Sequence, residues 1–108
     1  MGEYRVIISD SAKQDIRNTA SYIKNDLQEP VIAERTTEAI LDAILTLEDM
    51  PERIGFVRDE RLAEKKIRGL QVKNYTAFFV INEDARKVEI VRVIYSRRDW
   101  ATLLLSNE

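Results

Sequence analysis

The chain is predicted to fold as an α+β domain in the order β-α-α-β-β-β with a short C-terminal helix, a helix hairpin lying on one face of an antiparallel sheet. Three observations predict it. From Ala12 to Glu48 apolar residues recur at helical spacing with one break at Gln28-Glu29-Pro30. From Lys66 to Tyr95 the chain is β-branched and aromatic and is punctuated by two short polar turns. The 108 residues contain neither a low-complexity linker nor an internal repeat, so residues 1–108 are expected to form a single domain with one continuous topology.

Tyr4 to Ser9 alternates weakly and suits a first strand. Ser11 followed by Gln14 is a capping-box pattern, and Ala12, Ile16, Ala20, Ile23 and Leu27 then mark one face of an amphipathic helix. Pro30 is placed to begin a second helix, where its missing N–H costs nothing. Ile32, Thr36, Ile40, Ala43, Ile44 and Leu47 carry the period to about Glu48. The short gap between the helices predicts an antiparallel hairpin.

Asp49 to Glu64 has no sustained period, contains Pro51 and Gly55 and is dense in charge, and so reads as a long connection in which Asp59 caps a helical turn over Glu60 to Lys65. Lys66 to Val72 reads as strand two, Lys73-Asn74 as a tight turn and Tyr75 to Ile81 as strand three. Asn82 to Arg86 turns the chain into strand four, Lys87 to Tyr95. Strands two to four then form an antiparallel meander. Strand four is apolar in both phases, which predicts a central position with both faces covered. Arg92 interrupts it and is expected to be satisfied by a carboxylate or carbonyls, a structural part favoured over a site role. After Arg98, Asp99 is expected to cap a last helix, Trp100 to Leu105. A helix hairpin covers only one sheet face; the terminal helix, the long connection or a partner must close the other.

The net charge of −2 conceals a division. Residues 1–52 hold five Lys/Arg against eleven Asp/Glu, and residues 53–100 hold twelve against seven. Such a basic half can bind an anion although the whole chain is slightly acidic. The chain has no histidine and no cysteine, which excludes His-based acid–base catalysis, thiol nucleophiles, disulfides and the usual zinc sets. Three glycines leave no phosphate loop or dinucleotide fingerprint. The paired carboxylates Asp59-Glu60 and Glu83-Asp84 read as solvated turns, so no metal and no cofactor is expected. The longest early apolar run, Val6-Ile7-Ile8, is far short of a leader's apolar core or a membrane span, so a cytoplasmic protein without membrane contact is expected.

What remains is basic: Lys65, Lys66 and Arg68 at strand two, Lys73 in the turn, and Arg97 and Arg98 after strand four. Arginine forks and lysine point charges suit a phosphodiester or an acidic protein surface. If the chain cleaved RNA, its proton carriers could only be lysine, tyrosine or carboxylate, with Tyr95 and Lys66 the best placed. The plainer reading is that Lys65 and Lys66 are solvated charges guarding an edge strand and that Tyr95 packs its ring at a strand end.

Taken together, the first strand and helix hairpin, the pattern Ile67-Arg68-x-Leu70-x-Val72-x-x-Tyr75-x-x-Phe78-Phe79 and the tail Ile90 to Trp100 resemble the RelE/ParE superfamily of bacterial type II toxin–antitoxin toxins. The ParE-like subgroup is favoured. The resemblance spans nearly the whole chain and implies a microbial RNase-like fold, a cognate antitoxin in a toxin–antitoxin hetero-oligomer, and growth arrest by the free toxin. It implies as target either DNA gyrase or, in the alternative, ribosome-bound mRNA cleaved by a metal-independent endonuclease. In the latter case Lys66, Arg68, Tyr95 and Arg97 would be catalytic; Lys65, Lys73, Arg97 and Arg98 are the candidates for binding target or nucleic acid. Two positions depart from the endonuclease pattern: Thr76 stands where an arginine is usual, and Leu103-Leu104-Leu105 lacks the downstream tyrosine. The long hairpin resembles the gyrase-directed branch.

Overall fold

The computed structural model describes residues 2–98 and 100–105. Strand β1 (Arg5–Ile8) leads into α1 (Asp10–Ser21), whose last turn widens to π geometry over Tyr22–Asp26, and α2 (Pro30–Leu45) tightens to a 3-10 turn at Thr46–Glu48. A 3-10 turn at Pro51–Arg53 and α3 (Glu60–Glu64) break the long connection, followed by β2 (Arg68–Val72), β3 (Tyr75–Asn82), β4 (Lys87–Tyr95) and α4 (Trp100–Leu105). The sheet order is β1-β4-β3-β2. The meander is antiparallel as expected, and β1 joins β4 in parallel, with Arg5 opposite Lys87 and Ile8 opposite Ile90.

The first helix begins two residues earlier than the capping-box pattern predicts. Ser9, not Ser11, is the cap: it is extended at φ −64°, ψ 161°, and its Oγ accepts from Ala12 N–H at 3.1 Å. The same hydroxyl donates to Val91 C=O at 3.1 Å, so β4 fixes where the helix starts. Asp10 then lies in the first turn, where the helix dipole favours an anion. Gln14, expected to reach back to the cap, instead donates to Asn18. Pro30 opens α2 as predicted.

Lys66 does not begin the second strand. It follows α3 in the left-handed region at φ 62°, donating its N–H to Ala63 C=O at 2.9 Å while Ile67 N–H reaches Leu62 C=O at 3.2 Å. This pair of bonds is a Schellman stop, which turns the chain out of α3 before β2 can pair. Asp59 caps α3 as expected, accepting from the N–H groups of Arg61 and Leu62. Asp99, the expected cap of α4, lies outside the described residues.

Both faces of the sheet are closed. Ala12 and Ile16 of α1 and Ile40 and Ile44 of α2 pack on Val72, Ala77, Phe79, Val88, Ile90 and Val93. On the reverse face, Phe78 and Ile94 meet Leu62, Ile67 and residues Leu103–Leu105, so the long connection and the terminal helix together supply the cover the hairpin cannot. Phe78 and Phe79 are 1 % and 0 % exposed and enter opposite cores. β4 is internal, as its two-phase apolar pattern predicts. Between Phe78/Phe79 the ladder shifts: Phe79 faces Ile90 and Phe78 faces Arg92, leaving Val91 as a bulge. Beyond this bulge β4 changes which of its backbone groups face outward.

Candidate functional site

A groove of about 930 Å³ runs between the helix hairpin and the C-terminal end of β4. Asp15, Asn18 and Thr19 of α1 and Tyr22 of the π turn form one wall; Ile32 and Thr36 of α2 lie beneath. The opposite wall is Tyr75 with the β4 segment Arg92 to Tyr95, and Lys73 and Arg98 bring positive charge to it.

Local geometry explains this grouping. Val72 pairs with Tyr75, so the turn between them sets Lys73 at the end of the sheet, with φ at 53°. Tyr75 lies directly across from Tyr95, and their rings meet edge to face at 5.6 Å and 68°. Ser96 ties the basic tail to that turn: its N–H donates to Asn74 C=O at 2.8 Å, its hydroxyl lies 2.8 Å from Thr76 Oγ1, and Gln71 Nε2 donates to it at 3.0 Å. Arg98 N–H then bonds Tyr95 C=O, closing a turn that leaves Arg97 and Arg98 exposed.

Partial burial, followed by the neighbouring phenols of Tyr95 and Tyr22, pushes the Tyr75 phenol above its ordinary 10.0. It therefore meets a ligand at neutral pH as a hydrogen-bond donor or apolar ring. Arg92 is held by Asp15, whose carboxylate also raises the arginine's affinity for its proton through their hydrogen bonds. That is the structural part favoured from the sequence. Among the described residues no group of three or more Asp/Glu, His or Cys could hold a metal ion.

The groove thus gathers Lys73, Tyr95 and Arg98 of the residues singled out in the sequence, and Arg97 is adjacent in the chain. Lys65, Lys66 and Arg68 lie elsewhere. Lys65 and Lys66 are exposed at the end of α3. Arg68 pairs across to Phe79, four residues from the Val72 row, a separation of about 13 Å along a strand. Its guanidinium donates to Glu52 and Ile54 carbonyls and sits 4.2 Å from the Phe56 ring, pinning the long connection. Tyr22 and Tyr75 were not singled out as site residues. Their signal was available: Tyr22 sits beside, rather than on, the buried helical stripe, and Tyr75 begins a strand whose partner ends in Tyr95.

Among the described residues no helix is long and apolar enough to cross a membrane. The chain is similar in structure to the chromosomal ParDE toxin–antitoxin system of P. aeruginosa, with a TM-score of 0.71 at 16% identity over 86% of this chain and 96% of that one. It is also similar to the RelBE2 toxin–antitoxin complex of Mycobacterium tuberculosis, with a TM-score of 0.62 at 19% identity over 86% of this chain and 98% of the other. Comparison with curated proteins finds no match. A family model described as the ParE toxin of the type II toxin–antitoxin system parDE matches residues 6–100. With nearly the whole folded chain inside that match, the protein belongs to the ParE toxin family of type II toxin–antitoxin systems.

Proposed function

We propose that this toxin arrests growth by binding and inhibiting DNA gyrase when it is free, and that a cognate antitoxin neutralises it in a hetero-oligomer. One observation carries the preference for a binding mechanism. The basic residues that phosphodiester cleavage would use are divided: Arg68 is spent on the Glu52 and Ile54 carbonyls, about 13 Å along the sheet from the Tyr95 row. Thr76, at the position where the endonuclease branch carries arginine, is engaged with Ser96 and Gln71. A stabilised pentacoordinate phosphate needs cations converging on one point, within a few ångströms.

The second reading is a ribosome-dependent mRNA endonuclease using Lys66, Arg68, Tyr95 and Arg97. It is favoured by the juxtaposition of the Tyr95 phenol, Lys73 and Arg98 in one groove. The two mechanisms separate in a reconstituted assay. Purified toxin is added to gyrase with relaxed plasmid, and separately to translating ribosomes whose mRNA is mapped for cuts. The proposal expects loss of supercoiling, intact mRNA, and a Tyr95→Phe variant that keeps most of its potency. New 5′ ends on mRNA that vanish with Tyr95→Phe would overturn it.

A further inference from the structure

The outer face of α2 is left to solvent. Ala33, Thr36, Ile40 and Ile44 turn one side of the helix to the core, and the helical period sets Val31, Glu34, Glu38, Leu41 and Leu45 away from it, along about 21 Å. Val31, Leu41 and Leu45 are 58 %, 37 % and 54 % exposed, and none of them lines the groove. Met50, just past the helix, is 65 % exposed, the most of any large apolar side chain among the described residues. Its backbone stands in the left-handed region at φ 44°, ψ 57°, which a side chain disfavours. Arg53 holds it there: Nη1 donates to the Asp49 and Met50 carbonyls at 2.8 and 3.2 Å, and Nη2 donates to Thr46 Oγ1 at 2.9 Å. One guanidinium thus fixes the exposed methionine at the C-terminal end of the leucine ridge. The charges beside that ridge oppose the helix. Glu34, Glu38 and Asp42 follow at four-residue steps, where like charges repel, and none of the three carboxylates has an ion-pair partner among the described residues. Neither the row nor the ridge serves the fold, because a helix surface gains from alternating charge and exposed leucines bury nothing.

We propose that this face is the surface by which the toxin docks on gyrase: Leu41, Leu45 and Met50 seat in an apolar cleft of the enzyme, and Glu34, Glu38 and Asp42 meet a basic margin around it. This rests on the reading of the chain as a gyrase inhibitor. Charge chooses the occupant. α2 carries three carboxylates and one cation, Arg35, so its outer face repels a nucleic-acid backbone. It is also ill suited to a second copy of itself. A two-fold axis through Glu38 would set that residue against its own image and Glu34 against Asp42, and like charges so opposed disfavour the pair. An enzyme that handles DNA, by contrast, must carry basic surface to neutralise phosphates. An apolar centre with a charged rim is the usual anatomy of a protein interface, the centre supplying affinity and the rim partner choice and encounter rate. Ile32 and Thr36 present a different side of the same helix to the groove, so the docking face and the groove are separate surfaces.

The test titrates purified toxin into gyrase with relaxed plasmid and measures its affinity for gyrase and, separately, for the antitoxin encoded in its own module. Three forms are compared: the unaltered chain, Leu41→Gln/Leu45→Gln and Glu38→Lys. Glutamine and lysine are both good helix formers, so each variant should keep α2. The double variant is expected to bind gyrase at least about tenfold more weakly and the antitoxin with unchanged affinity. Glu38→Lys interrupts the like-charge row; it is expected to melt no lower than the unaltered chain and yet to bind gyrase about tenfold more weakly. Gyrase affinity unchanged in both variants overturns docking through this face and leaves gyrase inhibition standing. Failure of the unaltered toxin to bind gyrase or to slow supercoiling overturns the gyrase reading itself, and this docking site with it. Loss of antitoxin affinity with gyrase affinity retained assigns the face to the antitoxin and overturns the proposal. So does self-association of the unaltered toxin that the double variant abolishes without loss of gyrase affinity, which assigns the face to a second copy. Should the double variant fail to fold, Glu38→Lys, which alters one exposed side chain, decides alone.

Discussion

Asp15 closes the stretch of β4 that β1 leaves uncovered: its Oδ2 accepts from Arg92 Nε at 2.7 Å and from the Val93 backbone N–H at 2.9 Å, and its Oδ1 accepts from Arg92 Nη2 at 2.9 Å. One carboxylate therefore satisfies a partly buried guanidinium in bidentate fashion and an edge N–H at once. It also joins α1 to β4 across 77 residues of sequence.

Removing that carboxylate leaves a desolvated cation and an unpaired N–H. Asp15→Ala is expected to cost about 3 kcal/mol in urea unfolding, near the low end for breaking a buried pair because both side chains keep some solvent contact. The double variant with Arg92→Met should recover part of the loss, since no charge is then stranded. A cost for Asp15→Ala below about 1 kcal/mol, the value of an exposed pair, would contradict this role.

The two serines at the start of α1 separate cleanly. Ser9→Ala loses the cap and the bond to Val91 and is expected to destabilise by about 1–2 kcal/mol, whereas exposed Ser11→Ala should change little. Thermal melts of the two variants check this, and the reverse order would restore the cap to Ser11.

Lys66 occupies a left-handed conformation that its Cβ disfavours. Lys66→Gly is expected to raise stability by about 0.5–1 kcal/mol, read as a higher melting temperature. Growth arrest should persist on the gyrase reading, since the variant loses only an exposed charge remote from the groove.

Stability at high pH reports the tyrosines. Tyr75 holds its proton more tightly in the fold than in the unfolded chain, first through burial and then through the phenols of Tyr95 and Tyr22. Its contribution is therefore complete below pH 10 and is lost as pH rises through the raised value. Tyr4 behaves in the same sense, chiefly because of its hydrogen bond to Glu83. Urea unfolding across this alkaline range should show stability falling, with a shallower fall for Tyr75→Phe. An identical slope for that variant would remove Tyr75 from the account.

Residue patterning made the helices and the meander legible because Ala12, Ile16, Ile40 and Ile44 repeat along one face and Val88 to Ile94 is apolar in both phases. What it missed was set by contacts distant in sequence. The cap moved to Ser9 because Val91 binds its hydroxyl, and Lys66 left the strand because α3 ends in a Schellman stop. The parallel place of β1 depends on pairing across 82 residues, which no local period encodes, and the bulge at Val91 is a shift in the β3–β4 ladder that leaves the apolar pattern of β4 unbroken. The site was half legible. Charge picked out Lys73 and Arg98, which line the groove, and Arg97 beside Arg98 in the chain, but charge alone also picked Arg68, whose guanidinium the fold uses to hold its own loop.

Pulse incorporation of labelled thymidine and methionine, followed from the moment the toxin is induced without its antitoxin, tests the central claim most directly. Gyrase poisoning predicts that thymidine incorporation falls first, together with a DNA-damage response. Methionine incorporation falling first, with DNA synthesis initially unaffected, would contradict it and return Tyr95, Lys66 and Arg68 to consideration as parts of a ribonuclease.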